Sequence, residues 1–237
     1  MFNRKIKVFK SFFKKISYSN LIREINLHKN KNIKILKRKK MTTNNSGLNF
    51  FNTEYKELMS ILTQINNFNE FGKFFNSKII LNNCSIVTLN PAKKNYTRSS
   101  TWHRDVKYFN KYAKAEMLLL IVPVTPCTKK NGATMFKVKN KIIQPEINLD
   151  DILVADARIL HKGGINLSNY DRTILTICIT PPHIKPIFNF EHKIKNPTKT
   201  DESIKQIAGY FSRVPNNNNQ FFQKNDKKRF FLKDQFY

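Results

Sequence analysis

The stretch Asp150-Asp151-Ile152-Leu153-Val154-Ala155-Asp156-Ala157-Arg158 leads on to His161-Lys162-Gly163-Gly164. Ile152, Leu153 and Val154 form a strongly apolar run, and a histidine then opens a Gly-Gly turn, which reads as a strand and its exit. The same texture recurs at Lys78–Leu89, with Ile79, Ile80, Leu81, Ile86 and Val87, and again at Ala115–Val124 and Thr173–Thr180. Asn, Gly and Pro turns separate these runs. Several short strands with little helix between them predict a mainly β fold: a sandwich, jelly roll or barrel. Before them, Leu58, Ile61, Leu62 and Ile65 put one apolar stripe on a short helix over Glu54–Ile65.

The chain has 237 residues, room for one domain with decorations. Its 40% hydrophobic residues, including 20 Phe and 8 Tyr, suffice for a core and exclude global disorder. The longest apolar run, Met117–Val122, is too short to span a bilayer. Three cysteines, Cys84, Cys127 and Cys178, with no C-x-x-C, argue against a disulfide scaffold or zinc finger and read as free thiols in a reducing compartment. A cytoplasmic location is expected. The formal charge is +27, with 34 Lys against 9 Arg and 30 Asn, a bias that AT-rich coding can also produce. Basic residues crowd the first forty positions. There Ile6, Phe9, Phe13 and Ile16 predict an amphipathic surface helix, giving a basic segment over 1–45 that docks on the body or touches a membrane surface peripherally. Lys37–Lys40 reads as loop. A β domain over 46–212 follows, then an Asn/Lys/Phe-rich extension over 213–237.

The histidines carry the chemistry. His103 stands in Trp102-His103-Arg104-Asp105, and residues i and i+2 of a strand point to one side, so an imidazole and a carboxylate can grip one cation together. Adding His161 gives two His and one carboxylate, the facial set of non-haem Fe(II) oxygenases. Arg172 follows His161 by eleven residues at the start of a strand, where a guanidinium can hold a carboxylate through paired hydrogen bonds. His28, His183 and His192 match no motif and read as surface or loop.

The order of these pieces resembles the phytanoyl-CoA dioxygenase family of Fe(II)- and 2-oxoglutarate-dependent oxygenases. The resembling residues are Ser100-Thr101-Trp102-His103-Arg104-Asp105, Asn131-Gly132-Ala133-Thr134-Met135-Phe136, the stretch over 150–158, His161-Lys162-Gly163-Gly164 and Arg172. The resemblance spans roughly residues 50–185 and rests on motif order and the His–Arg spacing. It implies a double-stranded β-helix, jelly-roll or cupin-like, with flanking α-helices. It makes His103, Asp105 and His161 the iron ligands and Arg172 the partner of the distal carboxylate of 2-oxoglutarate. Relatives carry Ser or Thr where this chain has Gly163, and Thr176, inward on the same strand as Arg172, is the substitute hydroxyl. The Lys137-Val138-Lys139-Asn140 segment replaces a Gly-Ser-His loop. The activity implied is hydroxylation of a C–H bond in a small or carrier-linked organic substrate, consuming O2 and releasing succinate and CO2. Retention of Asp105 favours hydroxylation over halogenation.

Trp102 and Phe109 flank the metal pair as candidate pocket walls or as ordinary core. Arg98 and Lys94 are candidates to meet an anionic substrate group, or solvated loop charges. Asp156 and Arg158 brace the site or form a strand-end ion pair. The rival reading is a basic nucleic-acid-binding protein without catalysis. The low Arg content and the lack of a helix-turn-helix or RNP-like motif disfavour nucleic acid as a partner.

Overall fold

The computed structural model describes residues 2, 5–32, 48–92, 101–106 and 114–212. The expected loop at Lys37–Lys40, Lys94, Arg98, Phe109 and the extension over 213–237 lie outside the described residues.

Two antiparallel sheets make up the body. The strands are β1 (Ile6–Phe9), β2 (Leu48–Asn49), β3 (Ile80–Leu89), β4 (Leu118–Pro123), β5 (Thr134–Val138), β6 (Lys141–Ile143), β7 (Ile152–Asp156), β8 (Leu160–Gly163) and β9 (Arg172–Thr180). The larger sheet runs β1-β7-β4-β9-β3-β2 and the smaller β6-β5-β8. An isolated bridge between His103 and His161 adds the 101–105 segment beyond β8. In β4 and β7 every residue is buried. Both faces of these central strands are covered, which is why Leu-Leu-Leu-Ile-Val and Ile-Leu-Val-Ala read as unbroken apolar runs rather than alternating ones.

Alternation along each strand sends side chains to two separate cores. Leu118, Leu120, Ile152, Val154, Leu175 and Ile177 pack outward against helices, whereas Leu119, Ile121, Leu153, Ala155, Ile174 and Cys178 face inward with Ala133 and Phe136 of the smaller sheet. The outward core is closed by α1 (Tyr18–Lys31), α2 (Lys56–Asn66), α3 (Asn69–Phe75) and α4 (Glu202–Ile207). The stripe Leu58, Ile61, Leu62 and Ile65 is buried as its spacing requires. Tyr55 leaves the first amides of α2 uncapped, and Glu24 of α1 supplies the missing acceptor: Glu57 N–H and Leu58 N–H donate to its carboxylate at 3.0 and 3.2 Å. Among the described residues no helix is long and apolar enough to cross a membrane.

The N-terminal segment differs from the expected helix over Ile6–Ile16. Ile6–Phe9 is a strand paired with Ile152–Ala155 of β7, and the helix comes later, at Tyr18–Lys31. Ser11 and Lys15 sit at φ of 47° and 57°, which no right-handed helix tolerates, and the open edge of β7 captures the preceding Ile-Lys-Val-Phe. Phe2, Phe13, Leu21 and Ile25 join the outward core. His28 is likewise not a surface or loop residue. It is buried within α1, where its Nε2–H donates to the Asn49 carbonyl at 2.7 Å and its Nδ1 accepts from the Tyr55 hydroxyl at 3.2 Å. Burial holds its pKa below the ordinary value. The 137–140 segment is a hairpin joining β5 to β6, turned at Lys139 with φ of 53°. The three cysteines are free and buried.

Candidate metal centre

His161 lies in β8, and the 101–105 segment is held beside it by reciprocal backbone bonds: His103 N–H to His161 O at 3.0 Å and His161 N–H to His103 O at 2.9 Å. Such a pair places both side chains on one face, and the rings stand 4.4 Å apart. Asp105, two residues on, keeps that face and is anchored through its N–H to Ala157 O at 3.3 Å. Each imidazole is bonded to its own strand two residues upstream: His103 Nδ1 to Thr101 O at 2.9 Å, His161 Nδ1 to Ile159 O at 3.0 Å. A carbonyl only accepts, so each Nδ1 carries a hydrogen and the Nε2 of a neutral ring presents its lone pair.

Both Nε2 atoms aim at one carboxylate. Asp105 Oδ1 lies 3.8 Å from His103 Nε2, and Oδ2 lies 3.6 Å from His161 Nε2. One donor atom from each of the three residues lies within 4.8 Å of the others. Burial lowers the pKa of His161 despite the opposing pull of Asp105, so its ring favours the neutral form. Three acceptors thus converge, an arrangement that a shared cation relieves. The donors on one face of an octahedral ion with bonds of about 2.1 Å stand about 3 Å apart, so a modest contraction closes the set. His161 is buried while His103 is half-exposed, so the centre opens on the His103 side.

Neighbouring residues hold these three in place. Phe136, paired with His161 across β5 and β8, packs its ring 5.8 Å away. Asp156 and Arg158 form a buried ion pair at 2.7 Å, and the carbonyl of Arg158 accepts from Arg104 Nε at 2.9 Å. Arg104 lies between His103 and Asp105, so Arg158 of the strand-end ion pair also holds the 101–105 segment.

Arg172 opens β9 on the inward face and is 2% exposed. Its Nη2 donates to Gly132 O at 3.0 Å, while Nε and Nη1 are buried and have no partner among the described residues. A buried guanidinium with two unpaired nitrogens is costly unless an anion meets it. Cys127 is its neighbour, a thiol that burial pushes up to about 11 against the pull of the guanidinium. The carbonyl of Gly132 is delivered by a glycine lock. Gly164 N–H bonds Gly132 O and Ala133 O, Gly132 takes φ of 82°, and a Cβ there would meet Leu89 Cδ2 at 2.6 Å. Gly132 and Gly164 stand in the quoted motifs, but no pattern announces that they interlock.

Thr176 shares the inward face with Arg172, about 13 Å along the strand, and its hydroxyl donates to Ser85 O at 3.4 Å. Trp102 lies under the Lys162 ammonium, 4.9 Å from the ring centre, and does not join the three donors. A groove of about 340 Å3 between Asn66, Asn69, Ser77 and Lys78 is on the helical side and holds none of them.

Among solved structures the chain is similar to HygX from Streptomyces hygroscopicus, a structure with nickel and 2-oxoglutarate bound. The TM-score is 0.50 at 8% identity, covering 77% of this chain and 85% of HygX. The chain has the cupin-like jelly-roll fold. A looser likeness links it to the non-haem, α-ketoglutarate-dependent epimerase SnoN of nogalamycin biosynthesis, with a TM-score of 0.45, 12% identity and coverage of 62% and 66%. AviO1 from Streptomyces viridochromogenes gives a TM-score of 0.42 at 17% identity over 52% of this chain, which spans 59% of AviO1. No family model and no curated protein matches the sequence.

Proposed function

We propose that the protein is a non-haem Fe(II)- and 2-oxoglutarate-dependent oxygenase that hydroxylates a C–H bond of a small or carrier-linked organic molecule. The observation that carries this reading is the convergence of two bare imidazole nitrogens and one carboxylate beside the smaller sheet, with a buried, under-bonded arginine on the inward face of the larger one. His103, Asp105 and His161 would hold the metal, and Arg172 the distal carboxylate of 2-oxoglutarate. Bound together, Fe(II) and 2-oxoglutarate would supply, with O2 as the oxidant, oxidative decarboxylation to succinate and CO2 coupled to hydroxylation of a substrate C–H bond, one oxygen atom entering succinate and the other the product.

The protein's own contribution is positional. Thr101 O and Ile159 O fix the imidazole tautomers, so no change of tautomer precedes ligation. Burial of His161 favours its neutral form at ordinary pH, as ligation needs. The Gly132–Gly164 lock holds Nη2 of the guanidinium and leaves hydrogens of Nε and Nη1 unspent, so Nη1 with the second Nη2 hydrogen can meet an incoming carboxylate. Asp105 keeps a carboxylate in the set, which leaves no ligand place vacant for halide. Mixing the protein anaerobically with Fe(II) and 2-oxoglutarate is expected to give a weak visible charge-transfer band. His103→Ala or Asp105→Ala removes it. A wild type that shows no band, and whose melting temperature ignores both additives, overturns the reading.

A further inference from the structure

We infer that the β5–β6 hairpin docks the protein on an anionic lipid surface. β6 is the edge of the smaller sheet, and all three of its residues, Lys141, Ile142 and Ile143, are exposed. Edge strands normally avoid bare aliphatic side chains, because they invite unwanted pairing. Here Ile142 is 56% exposed, beside Lys137 in the register and one step from Lys141. With Lys139 at the turn, three lysines alternate along one hairpin, and none makes an ion pair among the described residues. No acidic residue occurs between Cys127 and Pro145.

Charge and chemistry select the occupant. A second copy of this chain would bring lysine against lysine at the edge, which the hairpin's charge opposes. A single-stranded nucleic acid wants aromatic platforms, but the hairpin's one aromatic ring, Phe136, is fully buried against the metal centre. The edge carries Ile142 with Lys137 on one face and Ile143 with Lys141 on the other, so an edge-on approach matches a headgroup layer instead: the ammonium groups meet lipid phosphates while the isoleucine on each face of the edge enters the acyl boundary. The site differs from the basic N-terminal segment, and it stands independently of the oxygenase reading.

The test is sedimentation with vesicles of phosphatidylcholine alone and with roughly 30% phosphatidylserine added, at two salt concentrations. The full chain is expected to pellet with the anionic vesicles alone, less so at high salt. Lys137→Gln/Lys139→Gln/Lys141→Gln should lower the partition coefficient about a hundredfold. Ile142→Ser/Ile143→Ser should lower it about tenfold at unchanged charge. Lys7→Gln/Lys14→Gln/Lys15→Gln serves as the control and should stay within about threefold of wild type. These side chains are exposed, and thermal melts matching wild type establish that each variant folds. Equal binding to both vesicle types, no binding at all, or a loss caused by the control rather than the hairpin overturns the inference. So does a partition that ignores Ile142→Ser/Ile143→Ser, or a single-stranded DNA oligonucleotide that binds more tightly than vesicles and is lost with the lysines alone.

Discussion

The two faces of the six-stranded sheet are built from the same strands and have opposite characters. Outward, a chain of phenylalanines runs Phe2–Phe71–Phe68–Phe12 with ring centres 4.9 to 5.8 Å apart, and four helices close over it. Inward, the aliphatic Leu119, Ile121, Leu153 and Ile174 are interspersed with small or polar residues: Ala155, Ala157, Cys178, Thr176 and a buried arginine. The outward face is filled and stabilises; the inward face carries groups that its own packing leaves incompletely satisfied. Division of labour across one sheet follows from alternation alone, since each strand sends successive side chains to opposite sides.

The contrast can be tested by breaking each face in turn. The largest effect is expected outward: Phe71→Ala should lower folding stability by about 3–5 kcal/mol in denaturant melts, with Fe(II) affinity of the folded fraction unchanged. If metal affinity falls with stability, the faces are not independent. Inward, Arg172→Met should weaken 2-oxoglutarate binding about a hundredfold while leaving the ligand-free protein at least as stable, because it removes a buried, under-bonded charge. Titration of the charge-transfer band reads the first outcome and a thermal melt the second. A destabilised variant would show that Arg172 serves packing instead.

The smallest effect tests the seam between the N-terminal segment and β7. Burial pushes the Asp151 carboxyl up, but hydrogen bonds from Lys10 and from the backbone N–H groups of Asn148 and Ser11 outweigh it and leave its pKa below the ordinary value. The stability it adds is therefore present above the usual carboxylate range and is lost as pH falls through the depressed value. Asp151→Asn should cost about 1 kcal/mol at neutral pH, since Lys10 is largely exposed and its ion pair adds little. Melts at neutral pH and near pH 3 should show the gap closing in acid; a gap that persists would assign the effect to packing.

Much of the β architecture was legible because β4, β7 and β9 are buried on both faces and print nearly continuous apolar runs. The convergence of His103, Asp105 and His161 was legible because strand alternation turns H-x-D into a shared direction. The N-terminal strand was not. Ile6, Phe9, Phe13 and Ile16 satisfy a helical period, and the deciding partner, β7, lies about 145 residues away, beyond any local pattern. The β5–β6 hairpin was hidden by its lysines, which blunt the alternation of a strand, and turned at a lysine where sequence signals favour Gly or Asn. His28 was misread because a lone histidine gives no sign of the Tyr55 and Asn49 partners that satisfy it in the core.

The segment bearing His103 and Asp105 is fastened to the body by a short backbone seam: the reciprocal pair to His161 and the bond from Asp105 to Ala157. So brief a seam opens far more readily than the long β3–β9 ladder, and opening it parts His103 from His161 while the rest of the protein stays folded. A bound ion would act as a rivet through that seam. Amide hydrogen exchange at His103, Asp105 and His161 should accordingly slow on metal loading, while the amides of β4, already sealed by neighbours on both sides, keep their rates.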